Sequence, residues 1–349
     1  MMVYVPSPHF LLSLFRILLN TFIPSAGGHP LLAQAHAIWR NGPTHSNNVL
    51  LVVPIILQIF MSGLVRYIVG HVLLSILILE SVEKQALGSF PELRDKKAGP
   101  SSRQLFQTMA TLYRTGNLRL LLNGIGSACS YWARHLCTKQ ILIRALFLPR
   151  PVAYVVASVL LAEDRFLWTA RTILPRDQQR FVPNSRDRQR WKALVPATAL
   201  HAVAESFMMH FPALFQSDLA SSASTDVTKA HLSGIVGFEI LVSGVMLAAQ
   251  FLLLFPSFIA LVLVQTSLLP SVCETLVSTL VNPGGQQQQR GRRVGEIFAA
   301  FNRVPLRVQE VVKIIGATYV LWCVELHAKM CLCLIGVSAV VLVAIYNMK

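Results

Sequence analysis

The chain has 349 residues, of which 54% are hydrophobic and only 13% are charged, and its mean hydropathy is +0.54. A soluble protein carries about 25% charged residues, so this composition excludes two ordinary soluble domains, and it also excludes a disordered chain, collagen and a coiled coil. The 31 lysines and arginines outnumber the 16 acids and give a net charge of +15. The composition predicts a polytopic membrane protein whose basic residues collect where the chain leaves the bilayer.

The N-terminal segment, residues 1–48, contains no acid, and the first acidic residue of the chain is Glu80. An apolar stretch, His9 to Ile23, carries Arg16 in its middle, and no positive charge precedes it. That order does not fit a secretory signal. The segment is predicted to be a mitochondrial targeting sequence, an interfacial helix or a disordered lead.

Six apolar stretches are candidate membrane spans, because a bilayer core of about 30 Å requires about 20 apolar residues in a helix. Pro54 and Pro256 mark positions where the long first and fifth stretches could bend. The last stretch is interrupted by charges and is compatible with one helix or two. The six stretches are Val49 to Leu79, Leu118 to Leu148, Pro151 to Leu174, Ala193 to Phe215, Leu232 to Leu269 and Val311 to Tyr346.

The loops between these stretches differ in charge. Lysine and arginine dominate the first, third and fifth loops, which are Glu80 to Arg119, Glu163 to Lys192 and Asn282 to Arg307. Because basic residues accumulate on the side that is not translocated, six spans would place these loops on one side and both termini on the other. The basic loops are predicted to meet anionic lipid headgroups of the bilayer. Nucleic-acid binding is disfavoured, since the basic residues are split among several loops.

The predicted fold is therefore an all-α helical membrane bundle of about six spans over residues 49–349. Each long apolar stretch is followed by a basic loop and a more polar stretch, which suggests three helix-pair repeats. The candidate repeats are 49–150, 151–231 and 232–349.

One local string has a recognisable counterpart. The segment Asn117-Leu-Arg-Leu-Leu-Leu-Asn-Gly-Ile-Gly126 resembles the Gly-Leu-Arg-Gly-Leu-Tyr-Arg-Gly segment before the even helices of the mitochondrial carrier family. Leu118, Arg119, Leu121 and Gly124 are in register with it. Leu268-Leu-Pro270, with Glu274 close by, is similar to a tract in divergent fungal carrier-like proteins. The resemblance implies three helix pairs, a mitochondrial membrane and solute transport.

The chain departs from the carrier pattern at the ends of the odd helices. Carriers place Pro-x-Asp/Glu-x-x-Lys/Arg there, but Pro256 is followed by Phe258 and Leu261 where the acid and the base would lie. The resemblance is therefore to a degenerate member that lacks the salt-bridge gate. Two functions stay open, solute transport and a non-transporting membrane adaptor or organiser.

Polar and ionisable residues within apolar stretches are expensive to bury and are candidates for function. A snorkelling role for Arg66 and a helix-end role for Glu239 are the plainer interpretations. The candidate substrate-binding residues are Arg66, His71, Glu205, Glu239, Gln250 and Lys313.

His201 and Glu205 are four residues apart and would share a helix face, whereas His210 falls off that face. The zinc motif His-Glu-x-x-His is absent, so hydrogen bonding between helices is favoured over metal binding.

A membrane-embedded enzyme acting on a lipophilic metabolite is the alternative function. Its candidate site is Glu163-Asp164, an adjacent pair of acids that is more simply a solvated helix end beside Arg165. The six cysteines include no Cys-x-x-Cys pair, and no phosphate-binding glycine loop occurs. The sequence predicts neither a cofactor nor a metal, and it favours an enzyme less than a transporter or adaptor.

Overall fold

The computed structural model describes residues 47–88, 101–183, 185–222, 241–276, 293–298, 301 and 305–347. Across these residues the chain is helical, and its extended pairing is an isolated bridge between Glu274 and Arg293. The all-α prediction is confirmed for this part of the chain. Most of the predicted N-terminal segment, residues 1–46, lies outside the described residues.

Helices follow one another closely through the first two thirds of the chain. They are α1 (Asn47–Tyr67), a π-helical turn (Ile68–Leu73), α2 (Leu74–Gly88), α3 (Leu105–Leu121), α4 (Ile125–Ala145), α5 (Arg150–Leu160), α6 (Ala162–Ile173) and α7 (Arg188–Ser222). A second π-helical turn (Gln250–Leu254) precedes α8 (Phe255–Ser267), and α9 (Val294–Ile297), α10 (Val308–Ile314) and α11 (Ala317–Asn347) complete the described fold.

Three helices are long and apolar enough to cross a membrane: Ile56–Glu83, Leu241–Ser267 and Ala317–Val341. They overlap the first, fifth and sixth apolar stretches of the sequence, Val49 to Leu79, Leu232 to Leu269 and Val311 to Tyr346. The first two contain the π-helical turns, and Pro256 lies in the first turn of α8, directly after the second one. Because proline has no N–H to donate, a local widening of the helix accommodates it there.

Two of the three weaker stretches differ from the prediction, whereas the third, Ala193 to Phe215, lies within the single helix α7. Pro151 to Leu174 is not one helix, because α5 ends at Leu160 and α6 begins at Ala162. Leu118 to Leu148 spans the end of α3, a turn and α4. For the final stretch, Val311 to Tyr346, the sequence allows one helix or two, and the structure has two, with the break at Ile315 and Gly316. A bundle of six spans is therefore not confirmed. The described residues contain three helices that are candidate membrane spans.

The first predicted loop is also largely helical. α2 continues through Glu80 to Gly88, and α3 fills Leu105 to Leu121. Glu80 is 1% exposed, and its carboxylate accepts hydrogen bonds from the N–H and the hydroxyl of Ser102 at 3.0 and 2.5 Å. The prediction that places Glu80 in a solvent-exposed loop because it is charged is therefore wrong.

The described residues form two compact units. One contains 47–66, 207–222, 241–252 and 328–347, and in it the buried side chain of Gln58 donates a hydrogen bond to the Ser338 hydroxyl at 2.8 Å. The other contains the described residues of 67–206 and 253–327. Its core is built on α2, α6 and α8, with Leu77, Phe166 and Leu261 almost fully buried.

The turn between α3 and α4 depends on Asn123 and Gly124. Gly124 has a φ of +79°, and a Cβ there would lie 2.7 Å from Oγ1 of Thr172. The amide of Asn123 donates to the carbonyl of Leu174 at 2.8 Å, and the backbone carbonyl of Asn123 accepts from the hydroxyl of Tyr67 at 2.6 Å. This turn fixes α4 against α6, on which the polar site described next is built.

Candidate functional site

A buried carboxylate is the centre of the polar site in the larger unit. Glu205 on α7 accepts hydrogen bonds from both terminal nitrogens of Arg165 on α6, with Nη1 to Oε2 at 3.2 Å and Nη2 to Oε1 at 3.4 Å. The hydroxyl of Tyr154 on α5 donates to Oε2 at 3.0 Å, and Nε2 of His201 lies 3.1 Å from Oε1. Each carboxylate oxygen thus has two partners. We call these four residues the Glu205 cluster.

The cluster is withdrawn from solvent. The side chains of Arg165 and His201 are 5% and 3% exposed, and that of Glu205 is 24% exposed. Burial acts to raise the pKa of the Glu205 carboxyl, but Arg165 and His201 outweigh it and hold this pKa well below its usual value. The carboxylate is therefore ionised at neutral pH. An ion pair so placed is costly to desolvate and is held by its surrounding hydrogen bonds.

His201 connects the cluster to α8. Its Nδ1 lies 3.1 Å from the hydroxyl oxygen of Ser257, which donates to the carbonyl of Leu254 at 2.9 Å. The ring of Phe258 lies between two histidines, with centroid distances of 5.5 Å to His201 and 6.0 Å to His71. The polar contacts therefore reach the π-helical turn that precedes α8.

A second histidine lies beside Tyr154. Nε2 of His135 on α4 is 2.9 Å from the hydroxyl oxygen of Ser158, and the His135 ring meets the Tyr154 ring edge-on with centroids 4.7 Å apart. Burial lowers the pKa of His135. The Ser158 hydroxyl donates to the carbonyl of Tyr154 at 2.9 Å, so the His135 ring donates to it. This contact holds Tyr154 in place toward Glu205.

Several buried side-chain nitrogens of the same unit have no hydrogen-bond partner among the described residues, and two of them lie near the Glu205 cluster. They are Nε of Arg165 and Nε2 of His71. The rings of His71 and Trp168 are stacked with centroids 4.0 Å apart, and the guanidinium of Arg165 lies 5.9 Å from the centroid of the Tyr131 ring. Buried polar atoms are normally paired with protein or water, so these two nitrogens are positions where a polar solute or water would be bound.

The predicted site residues fall in different places. His71 and Glu205 belong to the larger unit, and Phe258 and His201 connect them through the contacts given above. Lys313 lies exposed on α10 of that unit. Arg66 is half-buried at the end of α1, and Gln250 is fully buried at the start of the second π-helical turn, both in the smaller unit. Glu239 lies outside the described residues.

The predicted contact between His201 and Glu205 is confirmed. The sequence reasoning missed Arg165, Tyr154, Ser257 and His135. The predicted third loop places Arg165 among the basic residues outside the membrane spans, yet it is 4% exposed. The available signal is its register on the helix, since Arg165 lies one turn before Trp168 and therefore on the same face.

Glu163 and Asp164 are not a solvated helix end, and that interpretation is wrong. Glu163 is 8% exposed, and its carboxylate accepts hydrogen bonds from the backbone N–H of Asp187 at 2.9 Å and from Arg190 at 3.4 Å. Asp164 pairs with Arg134 at 2.7 Å. Glu163 thus holds the start of α7 against α6, and Asp164 joins α6 to α4. A cleft of about 340 Å³ beside them is lined by Leu160, Glu163, Asp164, Arg186, Asp187, Arg188 and Trp191.

Within the described residues no three histidine, cysteine or acidic side chains are grouped so that they could hold a metal ion. No protein-family model matches the chain, and no curated protein sequence or solved structure matches it either.

Proposed function

We propose that the chain is an integral membrane protein of carrier-like build that moves a solute across a membrane, and that the Glu205 cluster binds this solute on its way. The observation that carries the proposal is the buried Arg165–Glu205 ion pair, in a helical chain with three helices able to cross a membrane. Buried ionisable residues in membrane proteins generally mark the paths of ions and solutes.

The hydrogen bonding of the cluster supports solute binding. Glu205 is fully engaged, whereas Arg165 keeps an unpaired N–H at Nε and His71 keeps an unpaired ring nitrogen. An arginine side chain binds carboxylates and phosphates through several of its N–H groups at once. A solute with such a group would pair with Arg165, and the 24% exposed side chain of Glu205 marks the side from which it reaches the cluster.

The same proposal includes six membrane crossings in three helix pairs. It also places the chain in a mitochondrial membrane. The alternation of basic loops supports the crossings, and the acid-free sequence before Glu80, which contains Arg16 and Arg40, supports the location. Fractionation of cells that express the tagged chain tests the location. We expect the tag with mitochondrial membranes, resistant to carbonate extraction.

Transport is tested with purified protein in vesicles of phosphatidylcholine and a mitochondrial anionic lipid such as cardiolipin. Uptake of a panel of labelled anionic, cationic and neutral solutes is compared with that of vesicles without protein. We expect saturable uptake of at least one solute class. Uptake equal to that of the protein-free vesicles for every solute would contradict the proposal.

A non-transporting adaptor is the second candidate, and the missing carrier gate favours it. Pro256 is followed by Phe258 and Leu261, which are buried apolar side chains of α8. Without charges at these positions a carrier-type gate cannot close through ion pairs. Stable copurification of a partner protein, together with no solute uptake, would favour the adaptor.

The enzyme alternative gains no support from its candidate acids. Both Glu163 and Asp164 are engaged in internal contacts that hold α7 and α4. Substitution of these two residues is expected to change protein stability rather than a metabolite profile.

A further inference from the structure

His201 holds two polar contacts at once, one from each ring nitrogen. Nε2 lies 3.1 Å from the Glu205 carboxylate, and Nδ1 lies 3.1 Å from the hydroxyl oxygen of Ser257. The side chain is 3% exposed. Because bulk water does not reach this ring freely, its hydrogen bonding depends on these two neighbours.

The protons available to those contacts can be counted. Glu205, ionised by Arg165, offers only lone pairs, so Nε2 must carry a proton. Ser257 has one hydroxyl proton, which it donates to the carbonyl of Leu254 at 2.9 Å, so its oxygen also offers a lone pair to Nδ1. All three contacts are satisfied together only when both ring nitrogens carry protons, as in an imidazolium.

The neutral ring requires a different arrangement. With its proton on Nε2, the ring keeps the bond to Glu205, and Nδ1 then needs a donor. Ser257 can serve as that donor only by releasing the carbonyl of Leu254, which is the last residue of the π-helical turn. Loss of the proton therefore withdraws the Ser257 hydroxyl from a backbone carbonyl of the π-helical turn in a candidate membrane span.

The surroundings oppose permanent protonation. Burial is the largest effect and lowers the pKa of His201, while Glu205 on the same helix acts against it and Arg165 on α6 adds to it. Two other titratable groups face this region, Tyr154 of α5 through Glu205 and His71 of the first span across the Phe258 ring. The neutral form is favoured at rest, and the charged form has its acceptors already in place.

We propose that His201 takes up one proton together with an anionic solute, so that the transport proposed above is a proton–anion symport. The proton adds to the lone pair of Nδ1, and the new N–H group donates a hydrogen bond to the hydroxyl oxygen of Ser257. No electrons are transferred. The charges of Arg165 and Glu205 cancel, so the protonated cluster carries one positive charge in excess. A carboxylate or phosphate bound at Nε of Arg165 neutralises that excess. This inference rests on the proposed transport function.

The test uses the full chain in vesicles that contain a trapped pH dye, with labelled succinate and inorganic phosphate as probes. An inward proton gradient is expected to increase uptake of at least one of the two anions by the wild-type protein several-fold, and the lumen is expected to acidify as the anion enters. Uptake unaffected by the gradient would overturn the inference. If neutral or cationic solutes are moved and neither anion is, the inference fails while the proposed transport function stands.

Two variants separate proton binding from folding. His201→Gln keeps a donor and an acceptor at this position but cannot titrate, so the ratio of its uptake under the gradient to its uptake at equal pH is expected to fall to about one, whatever its rate at equal pH. His210→Gln, on the same helix and outside the site, is the matched control and is expected to respond as the wild type does. A His201→Gln protein that still responds to the gradient would contradict the proposal.

Ser257→Ala gives a second and independent outcome. It removes the acceptor for the proton on Nδ1, which destabilises the charged ring, so the pH at which uptake is half-maximal is expected to move to a lower value. An unchanged pH profile in this variant, with normal acidification in the wild type, would show that the proton is not held at His201.

Discussion

At the scale of single residues, Glu205 accepts four hydrogen bonds that originate from three helices. Two of its partners are cationic or able to become so, and they hold its pKa well below the ordinary value in spite of burial. The ion pair with Arg165 costs desolvation energy that two apolar side chains would not cost. Its presence is therefore better explained by a requirement for charge at this position than by a requirement for stability.

This explanation can be tested by removing one charge or both. Arg165→Met and Glu205→Met each leave a buried charge without its partner, and each is expected to lower the free energy of unfolding by about 3–5 kcal/mol. The double variant buries no unpaired charge, so it is expected to be more stable than either single variant. Thermal unfolding in one detergent measures all three. Additive losses would show that the two side chains do not interact in this way.

The two residues also show how much of the site can be predicted from the sequence. The spacing of His201 and Glu205 follows from helix geometry and is correct. Arg165 was missed because a count of charges in a loop does not show which of them a neighbouring helix covers. The contacts of Tyr154 and Ser257 with this site join residues about 50 positions apart, and no local pattern indicates such pairings.

At the scale of helices, apolar length predicted the three candidate spans well because the cost of exposing an apolar helix to water is a property of the segment itself. Two of the three weaker stretches were predicted wrongly for the opposite reason. α5 and α6 meet at Leu161, where the buried charged residues Glu163 and Arg165 follow immediately. Their burial depends on partners elsewhere in the chain, so composition alone could not place the break.

The turn before α4 gives a prediction at this scale. Gly124→Ala is expected to lower the thermal stability of the protein, because the φ of +79° costs a residue with a Cβ about 1–2 kcal/mol and the added carbon meets Thr172. Gly126→Ala, two residues later in the helix, has nothing within 4 Å of its added carbon and is expected to be neutral or slightly stabilising. Thermal unfolding of both variants beside the wild type is the measurement. Equal stability of the two variants would contradict the described turn.

At the scale of the whole molecule, the number of crossings determines where the two ends lie. The six proposed crossings place both termini on the same side of the membrane, whereas an odd number, such as the three candidate spans alone, would place them on opposite sides. Tags at each end, probed with protease before and after permeabilisation of the membrane, distinguish the two arrangements. We expect both tags to be protected together or cleaved together. Cleavage of one tag alone in intact membranes would exclude six crossings.

The assignment of the solute site to the Glu205 cluster is tested by the initial rate of solute uptake. The vesicles contain equal amounts of folded wild-type, Glu205→Gln or Asp177→Asn protein. Asp177 is an exposed acid outside the Glu205 cluster and is the matched control. Glu205→Gln loosens Arg165 and His201 from their positions, and because misplacement of such a group by about 1 Å can lower a rate by about 100-fold, the variant is expected to lower the rate by at least about tenfold. Asp177→Asn is expected to keep the wild-type rate. A Glu205→Gln protein that transports as fast as the wild type would contradict the assignment of the solute site to the Glu205 cluster.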